Sequence, residues 1–261
     1  MPRELKTGRV RLVGGGPGAA DLLTVRALRA IEGAQALLYD ALISDEVLAL
    51  APAHCLKIRT GKRAGRASMT QTTINRLMLR LARRGLEVVR LKGGDPSIFG
   101  RVGEEAEFLR ANGVEVEVVP GVTAACAAAV QFGLPLTHRG EARRLLISTA
   151  RVADGAVLED GWQAAADRET TLALYMGRDA AGALAAQLIG HGRSAATPVL
   201  AVENAGSPAA RAIPATLAGL AAALDAAQPT GPVVLLIGDV AARAQIVGAA
   251  PVARPLRRAL P

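Results

Sequence analysis

The feature that most constrains the fold is the regular alternation of short apolar runs with longer stretches of helical periodicity. This alternation is typical of α/β architecture, in which helices cover the faces of a sheet. Strands are predicted over residues 9–14, 35–40, 55–60, 87–92, 114–119, 145–149, 171–176, 199–203 and 233–237. Helices are predicted near Thr24 and over 45–50, 70–85, 103–111, 123–131, 180–188 and 216–226.

The pattern restarts after Pro120-Gly121, so the chain of 261 residues is predicted to form two α/β lobes, 1–120 and 121–247. A cleft between two lobes is the usual place for a ligand, and we expect the active site there. Residues 248–261 contain three prolines and three arginines, and we expect them to form a flexible tail.

The net charge of +8 favours an acidic partner, such as nucleic acid, an anionic lipid, or a polycarboxylate or phosphate ligand. The chain has only three Phe, two Tyr and one Trp, which argues against a surface that stacks single-stranded bases. Cys55 and Cys126 lack the spacing of a zinc site or a disulfide framework, so we expect no metal and a reducing cytoplasm. No signal peptide is recognisable, and proline and glycine interrupt the longest uncharged run, 118–138, so no membrane span is expected.

A first glycine-rich loop, GGGPGA at 14–19, follows the first predicted strand. It fits the GxGxxA pattern of dinucleotide sites, with Asp40 at the end of the next strand as a ribose-binding acid. That motif requires the glycines to open a helix, whereas Pro17-Gly18 makes a further turn and the helix begins only near Thr24. The departure argues against a nicotinamide site, and a turn that binds no ligand is a further alternative.

A second glycine-rich loop lies in the segment RLKGGDPSIFGR at 90–101. Gly93 and Gly94 lack Cβ atoms, so their backbone can approach a ligand closely, and Asp95 can accept hydrogen bonds. Gly-Asp-Pro is also common in turns that bind nothing. Two glycine-rich loops, each after a strand of the same lobe, favour binding of a nucleotide-like ligand over the alternative of two turns that bind no ligand.

Further segments occur in a characteristic order: VGGGPGAADLLT, YDALIS, GKRAG, RLKGGDPSIFGR followed by GEE, PGVTAACAAA, GLPLTHRG, TLALYMG and ENAG. From about residue 10 to 240 the chain resembles the tetrapyrrole methylase family. The resemblance implies a homodimer of two-lobed α/β chains that bind S-adenosyl-L-methionine in the cleft and need no metal. RLKGGDPSIFGR with LPLTHR is similar to members that methylate uroporphyrinogen III at C2 and C7 to give precorrin-2, in sirohaem, cobalamin or haem d1 biosynthesis.

Other activities remain as alternatives. A later corrin intermediate could be the substrate, or the chain could be a relative that acts on RNA or protein. A basic module that binds nucleic acid without catalysis would explain the net charge but not the paired glycine-rich loops.

The resemblance assigns cofactor binding to Pro17, Gly93, Gly94, Asp95, Ile98, Thr123, Ala124, Met176 and Ala205. Several of these also make physical sense, because Pro17 and Ile98 offer apolar surface and Met176 an adaptable thioether. The chain departs from the usual family pattern at Ala19, Ala20, Ala67 and Ala205.

Two basic segments, 57–66 and 139–151, are either solvated faces or sites for an acidic substrate. Uroporphyrinogen carries many carboxylates, which guanidinium groups bind in a bidentate manner, so Arg63 and Arg139 are predicted to bind substrate.

The resemblance assigns the role of proton acceptor to Asp40 and that of proton donor to Lys62. Asp40 ends a predicted strand, so its side chain can reach the carboxyl edge where α/β proteins bind ligands. A turn acid is the alternative for Asp40, and simple binding of a substrate carboxylate is the alternative for Lys62.

Overall fold

The computed structural model describes residues 7–61, 69–150 and 162–246, and it confirms the α/β class. The described residues divide into two compact units, the first ending at Thr123 and the second beginning at Ala124. No helix within these ranges is both long enough and apolar enough to span a bilayer.

The first unit contains a five-stranded sheet in which every neighbouring pair of strands is parallel. Its strand order is β3-β2-β4-β1-β5. The strands are β1 (Val10–Gly14), β2 (Ala36–Tyr39), β3 (Leu56–Arg59), β4 (Val88–Lys92) and β5 (Val116–Val119). Because all of them run in the same direction, the loops that follow them emerge at one edge of the sheet.

Helices of the first unit begin where the sequence predicts. They are α1 (Val25–Glu32), α2 (Asp45–Leu48), α3 (Gln71–Arg83) and α4 (Val102–Ala111). The side chains of Thr24, Ser44 and Thr70 cap the first three helices by accepting a backbone N–H of the first turn. Such a cap is worth about 1 kcal/mol, and it depends only on local sequence.

Both faces of this sheet are buried. Val13, Leu37 and Leu91 belong to an apolar cluster on one face. Leu12 and Leu38, one position away along their strands, belong to a cluster on the other face, which also contains residues of α3 and α4. This alternation is the period-two pattern of a strand with helices on both sides.

The second unit contains a five-stranded sheet of mixed direction, in the order β6-β7-β10-β8-β9. The strands are β6 (Arg144–Thr149), β7 (Thr170–Tyr175), β8 (Pro198–Glu203), β9 (Arg211–Thr216) and β10 (Val233–Ile237). The helices are α5 (Ala124–Gln131), α6 (Gln163–Ala166), α7 (Ala181–Gly190) and α8 (Leu220–Ala227). β10 is antiparallel to both of its neighbours, β7 and β8, so these two strands end at the same edge.

In the second unit the sequence prediction missed the short helix α6 and is wrong around residues 211–220. Strand β9 was not predicted, and the helix expected over 216–226 begins only at Leu220 because Thr216 still belongs to the strand. β9 contains Pro214 and pairs only with β8 at the sheet edge, which is where a strand tolerates proline.

Candidate active site

The candidate site of the first unit lies at the carboxyl edge of the parallel sheet. Gly15 follows β1, Asp40 follows β2, Gly93 follows β4 and Pro120 follows β5. Ligands of open α/β sheets bind at this edge. The local strand predictions were enough to place both glycine-rich loops there.

Three of these loops cross in direct backbone contact. The Gly94 N–H donates to the Gly16 carbonyl at 2.7 Å, and the Gly16 N–H donates to the Gly94 carbonyl at 3.3 Å. A Cβ on Gly121 would lie 2.3 Å from the Gly94 oxygen, and one on Gly14 would lie 2.6 Å from the Gly121 Cα. Only residues without Cβ fit at Gly14 and Gly121, and the sequence prediction did not include them as site residues.

Gly94 itself differs from its neighbours in the crossing. Its φ of +68° is the left-handed conformation that glycine adopts readily, yet a Cβ there would come no closer than 3.9 Å to any other described residue, at the Thr123 Cα. This side of Gly94 is therefore open. Pro17, Ile98 and Thr123 are half-buried residues of the same unit.

The carboxylate of Asp95 connects two of the crossing loops. Oδ2 accepts the Gly121 N–H at 2.8 Å, while Oδ1 accepts the Ser97 N–H at 2.8 Å and the Ser97 hydroxyl. Burial alone would raise the pKa of Asp95, but these hydrogen bonds outweigh it and hold the pKa below its usual value. Asp95 is thus ionised at neutral pH and orders the backbone around Gly94.

A cluster of charged side chains lies beneath the same edge and was missed by the sequence prediction. Glu105 on α4 is fully buried, and its Oε1 accepts hydrogen bonds from Arg90 Nε at 3.3 Å and Gln71 Nε2 at 2.9 Å. Its Oε2 accepts from Lys92 Nζ at 3.0 Å. The sequence feature that could have revealed this cluster is the presence of Arg90 and Lys92 within the otherwise apolar strand β4, followed by the GEE segment at 103–105.

Asp40 lies at the end of this cluster. Its Oδ2 is 3.6 Å from Arg90 Nη2, while its Oδ1 is buried and has no hydrogen-bond partner among the described residues. Burial raises the pKa of the Asp40 carboxyl, and the nearby cations of Arg90 and Lys92 offset only part of that effect. Burial, together with the charge of Arg90, lowers the pKa of Lys92.

The second unit gathers its predicted residues at one edge of its own sheet. Met176 follows β7, and Ala205 lies in the turn after β8. The Tyr175 hydroxyl accepts the Ala125 N–H at 2.9 Å, so the end of β7 lies against the start of α5, where Ala124 is located. Met176 is exposed and Ala205 is buried.

The loop that contains Ala205 is also attached to α5. Gln131 Oε1 accepts the Gly206 N–H at 2.9 Å, and Gln131 Nε2 donates to the Ser207 carbonyl at 3.0 Å. The start of α5 thus contacts Tyr175, the neighbour of Met176, and its end contacts the loop that contains Ala205. Gln131 was not identified from the sequence.

The remaining predicted residues are Arg139, Lys62 and Arg63. Arg139 is exposed in the turn between α5 and β6. Lys62, Arg63 and the segment 248–261 lie outside the described residues. Within the described part of the chain, no group of three or more His, Cys, Asp or Glu side chains could hold a metal ion.

The sequence model described as Tetrapyrrole (Corrin/Porphyrin) Methylases matches residues 9–221. The chain belongs to the tetrapyrrole methylase family. The uroporphyrinogen-III C-methyltransferase of Paracoccus denitrificans is 48% identical over 238 residues, which cover 91% of this chain and 83% of that protein. The siroheme synthase of Azotobacter vinelandii is 43% identical over 89% of this chain, which spans only 50% of that relative's length.

Two solved structures share the fold. The uroporphyrin-III C-methyl transferase of Thermus thermophilus, complexed with S-adenyl homocysteine, has a TM-score of 0.76 and 40% identity over 90% of this chain and 100% of that one. A cobalt precorrin-4 methyltransferase from cobalamin biosynthesis has a TM-score of 0.80 but only 28% identity, over 91% of this chain and 97% of that one.

Proposed function

We propose that this protein transfers methyl groups from S-adenosyl-L-methionine to C2 and C7 of uroporphyrinogen III, giving precorrin-2. The named activity of the 48%-identical Paracoccus relative and of the 40%-identical Thermus protein supports this assignment. The alternative, a later corrin intermediate as substrate, has weaker support, because the cobalt precorrin-4 methyltransferase is only 28% identical.

The observation that carries the proposal is the open side of Gly94 within an otherwise tightly packed glycine crossing. Among the described residues no atom would lie closer than 3.9 Å to a Cβ at this point, so the backbone leaves the room that a ligand held by backbone groups requires. We propose that S-adenosyl-L-methionine binds there, held by the cofactor-binding residues that the family resemblance assigns. When bound, it supplies an electrophilic methyl group, so the protein's task is to orient the substrate and to handle protons.

Asp40 is the proposed proton acceptor. Methylation of a pyrrole carbon leaves positive charge on the ring system, and a proton must then leave. The raised pKa of Asp40 makes its carboxylate a stronger base than an ordinary aspartate, and no described residue donates a hydrogen bond to its Oδ1. Lys62 is proposed either to donate a proton or to bind a substrate carboxylate.

The substrate is proposed to be held by charge. The net charge of +8 favours a polycarboxylate, and Arg63 and Arg139 are the proposed partners of its carboxylates. We further propose that the protein acts as a homodimer in the cytoplasm, without metal, membrane or nucleic acid, and that its product enters sirohaem or cobalamin-type biosynthesis.

The test is anaerobic incubation of the purified protein with S-adenosyl-L-methionine and uroporphyrinogen III. Mass spectrometry should detect a product that has gained two methyl groups, and Asp40→Asn and Lys62→Met should lower kcat while leaving cofactor affinity nearly unchanged. Glu107→Gln, an exposed change on α4, is the matched control. No methylation of uroporphyrinogen III by the folded wild-type protein would overturn the assignment, and methylation of a corrin intermediate instead would establish the alternative.

A further inference from the structure

The buried charges beneath Asp40 form a balanced group. Arg90 and Lys92 carry two positive charges, and Glu105 and Asp40 carry two negative ones. Arg90, Lys92 and Glu105 are almost completely buried, so water does little to screen their effect on one another. A buried ion group of this kind is costly to desolvate and contributes little net stability. Its position directly below the proposed proton acceptor suggests a different role.

Glu105 contacts both cations of this group, and the pairing of β2 with β4 explains why these cations lie near Asp40. Arg90 and Lys92 are two positions apart on β4, so they lie on the same face of the sheet. β2 pairs with β4 in the register Tyr39↔Leu91, which puts Asp40 next to Lys92. Glu105 binds both cations, one through each carboxylate oxygen, and Arg90 in turn lies 3.6 Å from Oδ2 of Asp40.

We propose that Glu105 is a positioning residue for the proton acceptor, because it holds Arg90 and Lys92 against Asp40 and balances their charge. This inference rests on the proposed function, in which Asp40 takes the proton. The charged groups that act on Asp40 within the described residues are Arg90 and Lys92 from β4 and Glu105 from α4. Without Glu105, two uncompensated cations would stabilise the Asp40 carboxylate and weaken it as a base.

Two substitutions in the cluster should move Asp40 in opposite directions. Glu105→Gln removes a negative charge, so the midpoint of Asp40 ionisation should fall by about one pH unit. Lys92→Met removes a positive charge, so the midpoint should rise by a similar amount. General damage to packing would not produce opposite shifts. The double variant restores the charge balance, and its midpoint should return toward that of the wild type.

The measurement is the pH titration of the Asp40 carboxyl carbon by 13C NMR, with its signal assigned by its absence in Asp40→Asn. The pH profile of kcat provides a second readout, whose acid limb should move with the NMR midpoint. Glu107→Gln makes the same charge change at an exposed site on the same helix, and it should leave both readouts unchanged. If Glu105→Gln does not fold, Lys92→Met and the double variant still decide the question.

An Asp40 midpoint that stays constant in folded Glu105→Gln or in Lys92→Met, or that moves in the same direction in every folded variant, would overturn the inference. Failure of the proposed function looks different. In that case the wild-type protein does not methylate uroporphyrinogen III, whereas the NMR titration still reports whether Glu105 and Lys92 control Asp40.

Discussion

Gly94→Ala separates the conformational role of this glycine from its proposed role at the cofactor. The φ of Gly94 is +68°, and alanine in that region costs about 1–2 kcal/mol in the free energy of unfolding. Steric overlap should add little to this cost, because the added Cβ would meet the protein only at ordinary contact distance, 3.9 Å from the Thr123 Cα. The fold should therefore survive the substitution.

The matched control is Gly113→Ala. Gly113 lies in the turn between α4 and β5, its φ is +74°, and a Cβ there would meet no atom of the described residues within 4 Å. Both variants should lose the same 1–2 kcal/mol in urea denaturation. Calorimetric titration with S-adenosyl-L-methionine should distinguish them. Gly94→Ala should bind at least about tenfold more weakly, or about 1.4 kcal/mol, while Gly113→Ala should bind like the wild type.

Two results would refute this reasoning. Unchanged cofactor affinity in a folded Gly94→Ala protein would mean that no ligand approaches the open side of Gly94. An equal loss of affinity in Gly113→Ala would mean that the effect comes from general destabilisation. Gly121→Ala serves as the contrasting case, because its Cβ would lie 2.3 Å from the Gly94 oxygen and should disturb both folding and binding.

Three further predictions follow from individual side chains. Tyr175→Phe should lower the free energy of unfolding by about 0.5–1.5 kcal/mol in urea denaturation, because the Ala125 N–H loses its acceptor; unchanged stability would contradict this. The lowered pKa of Asp95 contributes stability that is present at neutral pH and is lost as the pH falls below about 3.8. The melting temperature of Asp95→Asn should therefore depend less on pH in that acid range than the melting temperature of the wild type does. If the two proteins lose melting temperature equally as the pH falls, the hydrogen bond from Gly121 to Asp95 does not stabilise the fold. The raised pKa of Asp40 means that its ionisation opposes folding at neutral pH. Asp40→Asn should therefore lower kcat without lowering the melting temperature. A clear loss of thermal stability in this variant would show that the carboxylate supports the fold instead.

The sequence by itself determined the local structure and the position of each loop relative to its strand. Thr24, Ser44 and Thr70 cap helices that begin where the sequence predicted them, because a cap depends on a few neighbouring residues. The glycine-rich loops were located correctly at the ends of β1 and β4, because the end of a strand can be recognised from its own pattern. The family motifs added the proposed chemistry of those loops.

Only the tertiary structure decided which of these pieces meet. The antiparallel direction of β10 and the edge strand β9 depend on pairing between distant segments, which no local pattern specifies. Basic residues in a strand, such as Arg90, are ordinarily expected to face solvent. Here the sheet order brings Asp40 next to Arg90, and α4 brings Glu105 into contact with both Arg90 and Lys92. The environment of the proposed proton acceptor is thus set by charges far apart in sequence, because electrostatic energy depends on distance in space and on burial.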